Sequence, residues 1–272
     1  MINAFQVPPA TSNQIPIYSL ILLLVILAAG ARAQEAKHGT AIAAIRTDNE
    51  IVVAADSRVV NADDTPDPKP LCKIRQIRNL FFSVSGMSED PPSGFDVFRI
   101  IDNSVQAEGS FLDRITTFET SAKIPLEKAL ERLRVERPHI YQHNFSHMAP
   151  LGVIFFGLET NTLFLFHRRF VINSPTNQPV TVKIERRACP GSDCPGGIGH
   201  VFVGPSEDVK RFQTDNPNYW KGNLVATARK FVQMRIDTKA VSVGPPIDII
   251  RLTRNGAEGI QRKNECPDVQ QK

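Results

Sequence analysis

The chain has 272 residues, 42% of them hydrophobic and 22% charged, a balance that excludes a disordered or fibrous protein and sets one globular domain as the expectation. Its formal net charge is +4, and the lysines and arginines are scattered rather than gathered into a block. Neither nucleic acid nor an acidic membrane surface is therefore implied as a partner.

Residues 17–30 (IYSLILLLVILAAG) form an apolar run followed by Ala31-Arg32-Ala33, the small-x-small pattern of a signal-peptide cleavage site. The run is shorter than the about 20 apolar residues that span a bilayer. The expectation is an exported protein, periplasmic or extracellular, cut after Ala33, with no membrane contact after cleavage. An uncleaved N-terminal anchor is the second reading, because no lysine or arginine precedes the run.

Beyond this signal, residues 40–45 and 50–56 read as two short strands rich in Ala, Ile and Val around the turn Thr47-Asp48-Asn49. A polar, proline-rich loop (residues 61–70) leads to a second strand pair, 72–77 and 80–85, around Arg78-Asn79. Phe95, Val97, Phe98, Ile101 and Val105 recur at helical spacing. Residues 125–137 place Leu126, Ala129, Leu130 and Leu133 on one helical face with charges opposite, so two amphipathic helices are expected, with a third between them as an open reading.

Residues 151–158 and 162–167 read as a further hairpin, followed by a Pro/Gly-rich insertion over 173–199 and a short strand at 201–203. Ser206 with Glu207 and Asp208 behind it reads as a helix start. Residues 224–236 form another helix, and 247–253 with 257–260 close the chain as a hairpin around Asn255-Gly256. The order of strands, helices, strands, helices and strands predicts an α+β fold of two sheets packed face to face with helices outside.

The four cysteines are compatible with disulfides in an exported protein. Cys189 and Cys194 enclose a turn-rich loop that a local bridge would close; zinc is the rival reading, without a second cysteine pair to support it. Cys72 with Cys266 is a further pairing that the sequence leaves open. His139, His143 and His147 fall at i, i+4 and i+8, yet Pro138 and Pro150 bracket them and no HExxH pattern accompanies them, so a helix end and surface loop is the expectation there. No metal and no cofactor is expected.

Four segments carry a family signature: Thr40-Ala41-Ile42-Ala43-Ala44; Ile51-Val52-Val53-Ala54-Ala55-Asp56-Ser57-Arg58; Lys73-Ile74-x-x-Ile77; and Ser85-Gly86-x-x-x-Asp90. Together they resemble the start of proteasome β subunits, N-terminal-nucleophile hydrolases in which the catalytic aspartate follows the catalytic threonine by the sixteen positions that separate Asp56 from Thr40. The lysine match takes one extra residue in the proline-rich loop and loses one before Gly86, a length change that loops tolerate. The resemblance is strong over residues 40–90 and moderate over 151–167 and 244–256. It implies a four-layer αββα sandwich of two antiparallel sheets.

It also implies a chemistry. A threonine hydroxyl needs a base, and a free α-amino group with a pKa near 8 serves when threonine is the first residue. Thr40 would become first by self-cleavage after Gly39, dividing the chain into a signal peptide (1–33), a propeptide (34–39) and the domain (40–272). Lys73 would lie near the Thr40 hydroxyl and favour its alkoxide character, Asp56 would hold Lys73 charged and oriented, and the Gly86 N–H would face the oxyanion.

Arg58, Ser206, Asp237 and Ser242 are the candidates for support. The sequence departs from the family where Gly204 is followed by Pro205 before Ser206, and where Val243-Gly244-Pro245-Pro246 replaces serine-glycine-glycine. Two functions follow: a secreted threonine-type hydrolase of peptides or other amides, or a catalytically inactive protein of the same fold with a binding or structural role. Self-association is compatible with both.

Overall fold

The computed structural model describes residues 37–38, 40–61, 63–67, 71–146, 149–175, 178–204 and 207–269. The signal segment lies outside these residues, as do residues 34–36, Gly39, His147 and Ser206.

The described residues up to Asp96 form eight strands, with one 3-10 turn at Pro91–Ser93: β1 (Lys37–His38), β2 (Ile42–Arg46), β3 (Glu50–Ala55), β4 (Val60–Asn61), β5 (Ile74–Ile77), β6 (Leu80–Gly86), β7 (Glu89–Asp90) and β8 (Phe95–Asp96). Three helices follow, α1 (Val97–Val105), α2 (Phe111–Glu136) and α3 (Pro138–Asn144), then β9 (Leu151–Glu159), β10 (Thr162–Ile172), β11 (Val182–Cys189) and β12 (Gly199–Val203). The chain closes with α4 (Glu207–Asp215), α5 (Leu224–Asp237), β13 (Asp248–Thr253) and β14 (Gly256–Gln261).

Two five-stranded sheets result, in the orders β11-β10-β9-β6-β5 and β12-β2-β3-β13-β14, and every neighbouring pair is antiparallel. A smaller ribbon in the order β4-β1-β7-β8 flanks them.

The layering follows from side-chain alternation. Ile42, Ala44, Ile51, Val53 and Ala55 point into a core shared with Ile154, Phe156, Leu163 and Leu165 of the other sheet. Their neighbours Ala41, Ala43, Ile45, Val52 and Ala54 point the opposite way, against Leu224, Ala228, Phe231 and Val232 of α5. On the other sheet, Val153 and Phe155 face Phe118, Ala122 and Leu126 of α2. Each central strand is thus buried on both faces, which is why β2 and β3 read as continuous apolar runs rather than as an alternation. The fold is the expected αββα sandwich. Each fully buried Ile, Val, Leu or Phe in these cores contributes roughly 1.5–3 kcal/mol.

Two expectations change. The helix expected to begin at Pro125 instead begins at Phe111 and runs 26 residues with Pro125 inside it. A proline there removes one N–H from the ladder. The helix continues because Phe111, Ile115, Phe118 and Ala122 extend the buried stripe of Leu126, Ala129, Leu130 and Leu133. Phe118 meets Phe155 and Phe170 edge-on, with centroids 5.3 and 5.9 Å apart.

The insertion over 173–199 is likewise not only a connector: it contains β11, which pairs with β10 from Ile172↔Val182 to Leu165↔Cys189. Buried Glu119 of α2 ties the two strands by accepting from both Arg168 and Arg186. The prolines and glycines that dominate the reading of this stretch flank the strand and do not interrupt it.

Both cysteine pairs are bonded, Cys72 to Cys266 and Cys189 to Cys194. His139 and His143 lie on the exposed side of the short helix α3, with His143 Nε2 3.8 Å from Asp64 Oδ2. Among the described residues, no helix is long and apolar enough to cross a membrane.

Candidate active site

The site is built where β2 begins and β3 ends, at one end of two inner strands of their sheet. Asp56 follows β3 directly and is fully buried. Its Oδ1 accepts from the Ala41 N–H at 2.8 Å and from Lys73 Nζ at 2.7 Å. Its Oδ2 accepts from the N–H groups of Arg58 and Gly244, both at 3.0 Å. A carboxylate has about four acceptor positions, and here four donors occupy them. One buried side chain therefore fixes the backbone next to Thr40, the ammonium of Lys73 and the loop ahead of β13.

Thr40 is half-buried, and its hydroxyl donates to the Val84 carbonyl of β6 at 3.3 Å. Lys73 immediately precedes β5. The β5–β6 register pairs Ile74 with Ser83, so one step further along the same ladder sets Lys73 beside Val84. Lys73 is 2% exposed. Burial pushes its ammonium below the usual lysine range, and the Asp56 carboxylate opposes that shift.

Two glycines permit the close approaches. Gly86 ends β6 at φ +80°, and a Cβ there would stand 2.3 Å from the Pro150 carbonyl oxygen, so both the backbone angle and the space demand glycine. Gly204, at φ +69°, would bring a Cβ within 2.8 Å of the Thr40 carbonyl oxygen. The residue that follows β12 thus packs directly on the Thr40 backbone.

The candidates for support separate. Arg58 lies against Gly244, and its Nη1 donates to the Val241 carbonyl at 3.4 Å. Ser242 is half-buried in the same loop. Asp237 is exposed at the end of α5, where it accepts from Gln233 at 2.7 Å.

Several partners are not evident from the sequence. Gly244, within the segment that departs from the family pattern, supplies an N–H to Asp56, and its carbonyl accepts from the Ser57 N–H at 3.1 Å. The Ser57 hydroxyl donates to Pro246. The glycine in Val243-Gly244-Pro245-Pro246 is the signal that could have located this contact.

Upstream of Thr40, β1 is held between β4 and β7, in the registers Lys37↔Asn61, His38↔Val60 and Lys37↔Glu89. The segment that precedes the candidate nucleophile is thus an extended strand with pairing partners on both sides.

Residues 36–107 match the family model for proteasome subunits. No curated protein matches the chain. The matched stretch runs from β1 to just past α1 and contains Thr40, Asp56, Lys73 and Gly86. Over that stretch the chain is similar to proteasome subunits, and the remaining strands and helices complete around it the two-sheet αββα sandwich of a proteasome-like N-terminal-nucleophile hydrolase fold.

Proposed function

We propose that this protein is an exported threonine-type amide hydrolase, acting on peptides, whose nucleophile Thr40 is exposed by self-cleavage after Gly39. The observation that carries this reading is the double role of Asp56, which binds Lys73 and the Ala41 N–H through one oxygen. The two groups that the chemistry needs in fixed relation are fixed by one atom.

In maturation, the Thr40 hydroxyl adds to the Gly39 carbonyl carbon. The Gly39–Thr40 C–N bond breaks as an Oγ ester forms, and the Thr40 nitrogen takes the hydroxyl proton. Water then hydrolyses the ester, leaving a carboxylate on Gly39 and a free amine and hydroxyl on Thr40. In turnover, that amine accepts the hydroxyl proton while Oγ attacks the substrate carbonyl. The proton leaves with the amine product, and water releases the acyl group. Lys73 favours negative charge on Oγ, and the Gly86 N–H faces the oxyanion.

The placement of β1 supports a peptide substrate. Once the residues through Gly39 leave, β4 and β7 would border a slot that an extended peptide can fill by main-chain pairing.

The test is hydrolysis of short fluorogenic peptide amides by the mature protein and by its Lys73→Ala variant, with folding checked by thermal melting. Loss of roughly 100-fold or more in kcat, the scale expected for removal of a charge-stabilising group, supports the proposal. A folded Lys73→Ala protein with undiminished turnover would overturn it.

A further inference from the structure

The C-terminal segment after β14 grips the backbone around Lys73 from three sides. Cys266 is bonded to Cys72, the residue before Lys73. The Lys263 ammonium donates to the carbonyl of Leu71, two residues before Lys73. Arg262 Nη1 donates to the carbonyl of Ile74, the residue after it, at 3.3 Å. Residues 71, 72 and 74 are thus all tied to residues 262–266.

The grip is itself anchored to the sheet. Asp248, fully buried at the start of β13 and paired in register with Ala55, accepts from the Lys263 N–H at 3.2 Å. Its Oδ2 lies 3.7 Å from Lys263 Nζ, 3.8 Å from Arg262 Nη1 and 3.6 Å from Cys266 Sγ. Asp248 thereby does for this segment what Asp56 does for Thr40 and Lys73, one residue further along the same strand pair.

We propose that residues 262–266, locked by the Cys72–Cys266 disulfide and anchored on Asp248, form a positioning clamp for Lys73, with Lys263 as its principal positioning residue. This inference rests on the hydrolase reading above. Without the clamp, the stretch leading into β5 is held by the Leu71 N–H on the Ser57 carbonyl, at 3.2 Å, and by the Lys73–Asp56 ion pair.

The clamp also sets the electrostatics at Lys73. The charged groups that face it are Asp56, which favours its ammonium, and Lys263 and Arg58, which disfavour it; Asp248 and Arg262 stand behind Lys263. Removing the Lys263 charge should raise the Lys73 pKa, whereas a purely structural residue would lower stability without moving it.

The experiment combines turnover with a direct titration of Lys73 by NMR of lysine labelled at Cε, in the mature wild-type protein and three sets of variants. Replacing both Cys72 and Cys266 with serine, or making Lys263→Met, should lower kcat about tenfold or more with KM little changed, the split expected when an interaction made in the transition state is lost. Lys263→Met should also raise the Lys73 pKa by a resolvable fraction of a unit, and Lys263→Arg should restore both readouts. Replacing Cys189 and Cys194 with alanine removes the other disulfide and should leave turnover as in wild type.

Wild-type turnover in the Cys72/Cys266 and Lys263→Met variants, with the Lys73 titration unmoved, would overturn the clamp and leave the hydrolase reading standing. A wild-type protein without turnover would remove the hydrolase reading. The titration then decides separately whether the segment controls the Lys73 environment, and an unmoved titration would overturn that too.

Discussion

At the scale of single residues, the economy of the site lies in Asp56. Its four donors leave it no spare acceptor, and three of them are backbone N–H groups that the fold cannot withdraw. Asp56→Ala would orphan these groups and strand the Lys73 ammonium in a dry environment. Unfolding by urea should show a loss of roughly 3–5 kcal/mol, the cost of breaking a buried charge pair from one side. A loss below about 1 kcal/mol would mean that water reaches the carboxylate.

A second residue makes a pH prediction. His167 of β10 is 7% exposed, and its Nε2 has no hydrogen-bond partner. Burial, followed by the charges of Arg169, Arg187 and Arg168, pushes its pKa down from 6.5 to about 3. Between these two values the unfolded chain carries the proton and the folded one does not, so stability falls as pH drops through this window. The slope from one such proton is about 1.4 kcal/mol per pH unit. His167→Gln should flatten this part of the stability curve by that amount, whatever its effect on absolute stability. An unchanged slope in the variant would show that His167 is protonated in the fold.

At the scale of elements, the two disulfides should differ in weight. Cys72–Cys266 joins residues 194 apart and Cys189–Cys194 residues 5 apart, and the entropy removed from the unfolded chain grows with loop length. Loss of the long-range bridge should cost roughly 2–5 kcal/mol, and loss of the short one distinctly less. Equal losses in denaturant titrations would contradict that ordering.

The elements also show what was legible in the sequence. The strands β2, β3, β6, β9 and β13 and the helix α5 announce themselves, because each is an apolar run or stripe bounded by turn residues. The start of α2 does not: Thr116, Thr117 and Thr120 lower its apparent helix propensity, while the pairing of Ser110 with Asp113 at its N-terminus is a weaker sequence signal than serine with glutamate. Strand β11 is hidden for a different reason. It is an edge strand with charged residues on its exposed positions, so it lacks the apolar run that marks the buried strands.

For the site, spacing is informative where contacts are made by nearby chain and uninformative where they are made across the fold. Thr40, Asp56, Lys73 and Gly86 fall within one pair of hairpins and are readable together. Gly244, Asp248 and Lys263 meet the same site from the C-terminal hairpin, and only the packing of β13 on β3 brings them there.

At the scale of the whole molecule, the αββα layering places Thr40 just ahead of β2, an inner strand of a sheet buried on both faces. Thr40 thus leads into a central, fully buried strand, while among the described residues before it Lys37–His38 form a two-residue strand between β4 and β7. This division suits a chain that keeps its site and sheds what precedes it. The central claim, that Thr40 becomes the first residue by its own chemistry, is tested most directly by the N-terminus of the purified protein and of its Thr40→Ala variant, read by intact mass and terminal sequencing. The account predicts a wild-type chain that begins at Thr40 and a variant that retains the residues through Gly39. A wild-type chain that begins at Gln34, or a variant cut at the same bond as wild type, would contradict it.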